Sequence, residues 1–226
     1  MKLDAVLLPK VGSAERVHET VARLGAASAR AIWCMIETPR GVLAAAEIAA
    51  APRVAALVMG TSDLTKDLQA RETHDRLPLL TSLQLVLLAA RAHGLAALDG
   101  VHLDLADDAG FAAACAQGRA LGFDGKTLIH PKQIAPANAA FAPSAGELAQ
   151  AQKIIVAHEA ALAAGQGIVV VDGRLIENLH VAAAQRIVAL AEAIAELEGR
   201  SSPTLTRLAA RRTLSRKREK GQRWEG

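Results

Sequence analysis

Glu37 and Asp63 each close a short apolar run, in AIWCMIETPRG (31–41) and VAALVMGTSDLTKDL (54–68). Two apolar strands ending in carboxylates, with a helix-length stretch between them, describe a βαβ unit whose strand ends can share one hard cation. Mg2+ suits such a pair because it takes one or two carboxylates, keeps waters and leaves positions for substrate oxygens. Each carboxylate also has a plainer use. Asp63 can cap a helix starting at Leu64, since Gly-Thr-Ser-Asp is good capping chemistry. Glu37 can be an acid at a helix N-terminus. Lys10 in LLPKVGS is either a substrate or phosphate contact or an exposed lysine. His102 and Asp104 in DGVHLD, and His130 in GKTLIHP, are either catalytic or structural. Asp107 and Asp108 read as the start of a helix. Glu177 in DGRLIENLH reads as a helix-start carboxylate beside Asn178, and His180 as a helix-surface residue.

The elements that must position these residues alternate in type. Apolar runs at 4–9, 31–37, 55–60, 95–102 and 126–130 predict strands, and the stretches 13–25, 40–50, 63–70, 77–93 and 108–122 predict helices. Ser13 is placed to begin the first helix and Gly25 to end it. The strands recur about every 25 to 30 residues as continuous apolar runs, the pattern of parallel strands buried on both faces. Such βα repeats predict a (βα)8 barrel or a doubly wound sheet, and both place chemistry at the C-terminal strand ends. A GxGxxG after the first strand is absent, which weighs against a dinucleotide site. Further on, 144–164 predicts a long Ala-rich helix, Asp172-Gly173 a hairpin turn, and 178–198 a second long helix. The expected organisation is α/β: an incomplete (βα)8-type barrel of about five of the eight strands over 1–143, a helix-hairpin-helix extension over 144–200, and a basic, poorly ordered tail over 201–226.

Composition narrows the function. The 226 residues are 51% hydrophobic, enough for one sizeable core, but only 2% aromatic with no Tyr, so packing is aliphatic. Base stacking on aromatic side chains is thereby disfavoured, and no nucleic-acid partner is expected. Much of the +3 net charge sits after Arg200. The tail could bind nucleic acid electrostatically or simply be solvated. Cys34 and Cys115 lie in apolar surroundings without a zinc-type spacing and read as buried free thiols. No apolar run reaches membrane-spanning length and the N-terminus lacks a signal-peptide core, so a cytoplasmic protein without a membrane partner is expected.

Six segments in order resemble a known family: DAVLLPKVGSAE, MIETPRG followed by EIAA, GTSDLTKDL, LAARAHGLAALDGV, GFDGKTLIHPKQI and VDGRLIENLHV. Together they are similar to the citrate lyase β-subunit-like CoA-ester lyases, within the wider HpcH/HpaI aldolase group of metal-dependent (βα)8 barrels. The resemblance covers about residues 3–198, and the GTSDLTKDL and LIENLHV variants look closest to the branch holding malyl-CoA thioesterases and malyl-CoA lyases. It implies Mg2+ as cofactor, held at Glu37 and Asp63. It implies that the amides of Thr61 and Ser62 receive the carboxylate of a small 2-oxo acid. Glu177 stands at the position of a C-terminal carboxylate, often given by a neighbouring subunit, that acts on the acyl-CoA carbon. Many relatives have Asp there, and the longer Glu reaches further.

The activity so implied is Mg2+-dependent cleavage of a 3-hydroxyacyl-CoA, such as malyl-CoA or citramalyl-CoA, into acetyl-CoA and glyoxylate or pyruvate. The alternatives are a thioesterase for (3S)-malyl-CoA on the same scaffold and a non-catalytic fragment. The resemblance further implies a homo-oligomer, a trimer or hexamer. Relative to the family pattern, the strands before LLPKV, with their DLED-like motif and substrate arginine, have no counterpart, and the chain is expected to be N-terminally truncated.

Overall fold

The computed structural model describes residues 3–25, 28, 30–165 and 168–199. The chain forms two compact units, Met1–Phe141 and Ala142–Gly226.

In the first unit the strands are β1 (Ala5–Leu8), β2 (Ala31–Ile36), β3 (Val54–Met59), β4 (Ala96–Asp99) and β5 (Gly125–Lys126). They pair in that order, and every pairing is parallel. Parallel neighbours need crossovers. These carry α1 (Ala14–Leu24), α2 (Pro39–Leu43), α3 (Ala45–Ala50), α4 (Thr61–Asp67), α5 (Leu80–Ala92) and α6 (Asp108–Leu121), and α7 (Ile134–Phe141) follows β5. The result is a partial barrel of five strands.

Strand β3 shows why the sheet lies inside. Its last four residues, Ala56 to Met59, are all buried, so both faces of the strand are covered. The core around it is aliphatic: Val11, Val17, Ile32, Ile36 and Ile48 pack with Leu57, Met59, Leu64, Leu83 and Val86. Cys34 and Cys115 are buried free thiols, and burial pushes the Cys34 thiol up to about 12.

Several expected boundaries shift. The fourth and fifth strands are much shorter than the apolar runs that announced them. Residues 100–107 and 127–130 leave the ladder, so His102, Asp104 and His130 sit in loops beyond the strand ends. The segment 77–93 splits into a short 3-10 turn, Leu77–Leu79, and α5, because Pro78 cannot continue an α-helical ladder from within. Ser13 precedes α1 in extended conformation without a capping bond from its side chain, and Gly25 ends the helix at φ +77°.

In the second unit α8 (Ala145–Ala163) opens with a capping box, Ser144 and Glu147 each bonding the other's backbone N–H. The antiparallel hairpin of β6 (Val169–Val171) and β7 (Arg174–Ile176) turns on Asp172 and Gly173, both at positive φ, as a type I′ turn requires. Helix α9 (Asn178–Leu197) packs on α8 through Ala151, Ile155, Ala184 and Val188. The 201–226 segment, expected to be a basic tail, lies outside the described residues.

Candidate active site

Glu37 follows β2 directly and is buried, at 7% exposure. The next residue, Thr38, caps α2 by accepting from the Gly41 amide at 3.1 Å, and Pro39 fixes the first helical position. This tight strand-to-helix turn leaves Glu37 outside the helix. Its Oε1 instead accepts the Lys10 backbone N–H at 2.7 Å, which ties the end of β2 to the loop after β1.

Asp63 is not the cap of a helix starting at Leu64. Helix α4 begins at Thr61 with Gly60 as its N-cap residue, so Asp63 lies in the first turn. The reason is that β3 ends at Met59 and the chain enters the helix almost at once. Gly60 is required there: a Cβ on it would stand 2.3 Å from the Glu37 Cβ and 2.7 Å from its Oε2. Absence of a side chain at 60 is what lets the Glu37 carboxylate lie beside the start of α4.

Lys10 joins the two carboxylates. Its amide reaches Glu37, and its Nζ lies 3.1 Å from Asp63 Oδ2. It does so in a left-handed conformation, φ +50°, which costs a non-glycine residue energy and is a feature that clusters at functional sites. The Asp63 hydrogen bond and charge hold the Lys10 ammonium above the usual lysine range, with smaller help from the charges of Glu37 and Asp67. The ammonium thus neutralises Asp63, while Glu37 is met by the Lys10 backbone N–H. The donors are all carboxylate oxygen, the hard set that Mg2+ or Ca2+ takes. Among the described residues no group of three or more His, Cys, Asp or Glu gathers to hold a metal, so a cation here would complete its shell with water or ligand oxygens.

Thr61 is buried in the first turn of α4, with its carbonyl accepting from the Thr65 hydroxyl at 2.8 Å, and Ser62 follows it. Both line a cavity of about 300 Å³ whose lining also includes Arg76, His102 and Asp104. Glu37, Asp63, Lys10, Thr61 and Ser62 thus belong to one end of the sheet. His130 does not join them: its Nδ1 accepts the Lys132 amide at 3.1 Å and caps a short 3-10 turn. Asp107 caps α6 through the Gly110 amide. Glu177 lies in the second unit as the exposed N-cap residue of α9, where its amide donates to His180 Nδ1 at 3.0 Å.

A second ionic cluster escaped the sequence reading. Asp99, the last residue of β4, is fully buried. Both its oxygens accept from Arg76 Nη1 at 2.8 Å, and Oδ2 also accepts from Lys126 Nζ at 2.9 Å. Its own backbone turn adds the Gly100 amide. Burial pulls the Lys126 ammonium below the usual lysine range, while the Asp99 charge and hydrogen bond oppose that. The signal available in the sequence was an isolated carboxylate inside an apolar strand, LAALDGV, which must find partners if buried.

Residues 1–131 match the HpcH/HpaI aldolase/citrate lyase family. This chain belongs to that family. It is 52% identical over 194 residues to a (3S)-malyl-CoA thioesterase of Cereibacter sphaeroides, covering 86% of this chain and 67% of that protein. It is 35% identical over 200 residues to the citrate lyase subunit beta of Leuconostoc mesenteroides subsp. cremoris, covering 84% and 66%. The chain thus spans about two thirds of the length of the curated relatives it matches. Among solved structures it is similar to CitE of Mycobacterium tuberculosis in complex with magnesium, acetoacetate and coenzyme A, with a TM-score of 0.69 and 32% identity over 84% of this chain and 68% of that one. Among the described residues no helix is long and apolar enough to cross a membrane.

Proposed function

We propose that this protein hydrolyses the thioester of (3S)-malyl-CoA to malate and free CoA, in place of the carbon–carbon cleavage that the family resemblance first suggests. The observation that carries this reading is the 52% identity to a (3S)-malyl-CoA thioesterase, against 35% to a citrate lyase subunit.

In this reading Glu37 and Asp63 hold Mg2+, which when bound supplies charge neutralisation to the substrate's hydroxyl and carboxylate oxygens. The amides of Thr61 and Ser62 receive the carboxylate of the acid portion. Lys10 keeps the two carboxylates together and contributes positive charge beside them. Glu177, given by a neighbouring copy of the chain as the family resemblance implies, serves in this reading as the proton-handling carboxylate: it takes a proton from the water whose oxygen bonds to the thioester carbonyl carbon, and returns it to the CoA sulfur as the carbon–sulfur bond breaks. The active species is proposed to be a cytoplasmic homo-oligomer.

The test is an end-point balance with malyl-CoA and Mg2+. Free CoA and malate in equal amounts, without glyoxylate, are expected. Glu37→Gln and Asp63→Asn should each lower the rate by at least ~100-fold, since the metal's charge stabilisation is worth several kcal/mol. Acetyl-CoA with glyoxylate would restore the lyase reading, and a folded chain giving neither product pair would sink both.

A further inference from the structure

The Lys10 ammonium stands on one of the two carboxylates read as metal ligands, and its backbone holds it there. Strand β1 ends at Leu8, and Pro9 leads into Lys10. The Lys10 amide donates to Glu37 Oε1 at 2.7 Å. The next residue, Val11, is fully buried and donates its amide to the Met35 carbonyl at 3.2 Å. Fixed by these two bonds, Lys10 takes φ +50°, a conformation that non-glycine residues seldom adopt.

The two carboxylates are met in different ways. Glu37 is buried and receives a peptide N–H, which is neutral and belongs to the fixed backbone. Asp63 is 39% exposed and receives the Lys10 ammonium, 3.1 Å from its Oδ2. That side chain is itself 65% exposed, on a flexible four-carbon stem. An ammonium has three donors and no acceptor, so it cannot enter a metal's coordination shell. A dication on the same carboxylate would repel it at this range. Asp63 can therefore give its charge to the lysine or to a metal, not to both. Release of the lysine costs little, because an exposed ion pair is weak and water replaces the partner.

We propose that the Lys10–Asp63 ion pair is an autoinhibitory contact. The ammonium competes with a divalent cation for Asp63, and the metal enters by exchange with it while Glu37 keeps its backbone bond. This rests on the reading of Glu37 and Asp63 as the metal-holding pair. Its consequence is a site in which Asp63 is neutralised before the metal arrives, and which takes Mg2+ more weakly than the same carboxylates would without the lysine.

The experiment is isothermal titration of the full chain with Mg2+, comparing the parent with four variants whose folding is checked by melting curves. Lys10→Met removes the ammonium and keeps the amide that bonds Glu37. Mg2+ should bind it roughly two- to fivefold tighter, the range that an exposed ion pair commands. Lys10→Gln, uncharged but polar, should give the same tightening, which separates lost charge from added apolar surface. Lys66→Met is the control for net charge: Lys66 is exposed in the last turn of α4, the helix that carries Asp63, and is not bonded to Asp63. At physiological salt its affinity should stay within about 1.5-fold of the parent. Asp63→Asn should abolish binding. Affinity unchanged or weaker in both Lys10 variants, with binding still lost in Asp63→Asn, would overturn the exchange and leave the metal reading standing. Equal tightening in Lys66→Met would overturn it too, as an effect of bulk charge. Binding indifferent to Asp63→Asn would remove the metal reading and the proposal with it.

Discussion

Two ionic clusters close neighbouring strands of one sheet, and solvent treats them oppositely. At Lys10 and Asp63 the side chains are 65% and 39% exposed, whereas Asp99 and Lys126 are wholly buried. Water screens the first pair, so its partners can exchange a contact for an ion or a substrate oxygen at small cost. The second cannot let go: each buried charge depends on its partner, and separating them leaves an uncompensated charge in a low-dielectric interior. Similar chemistry therefore gives a labile site at the ends of β2 and β3 and a fixed anchor at the end of β4. The anchor also borders the cavity, because Arg76, held by Asp99, is one of its lining residues.

The comparison breaks most visibly at Asp99. Asp99→Ala leaves Arg76 and Lys126 facing each other without a counter-charge and should cost about 3–5 kcal/mol of unfolding free energy in a denaturant titration. Gly60→Ala tests the other cluster from its backbone side. The added methyl meets Glu37 at once, so a loss of about 1–3 kcal/mol is expected from overpacking. Mg2+ affinity should fall with it, read by calorimetry. Lys10→Met sharpens the contrast by removing an exposed charge alone. The melting temperature should stay within about 4 °C of the parent. A drop as large as that of Asp99→Ala would mean that exposure does not separate the two clusters.

The labile site was legible in the sequence and the anchor was not, for a physical reason. Glu37 follows an apolar run directly and Asp63 stands four residues past one, so the strand-end rule finds both from local pattern. The hairpin at Asp172-Gly173 was equally local. Asp99, Arg76 and Lys126 come from a strand, a loop and the shortest strand of the sheet, and no periodicity links them; the bonds form only because β4 lies between β3 and β5. The shortening of β4 and β5 was hidden too, because LAALDGVH and KTLIH stay apolar beyond the point where the ladder stops.

The order of the sheet carries one more consequence. Each strand lies beside the strand that precedes it in the chain, from β1 to β5 without a swap. Every new βα unit thus docks on an edge that the preceding segment has already laid down. A ribosome releases the chain in that same direction. Nothing in the connectivity makes an earlier strand wait for a later one, so the sheet can grow in step with synthesis, and the buried anchor at Asp99 is completed only when Lys126 arrives.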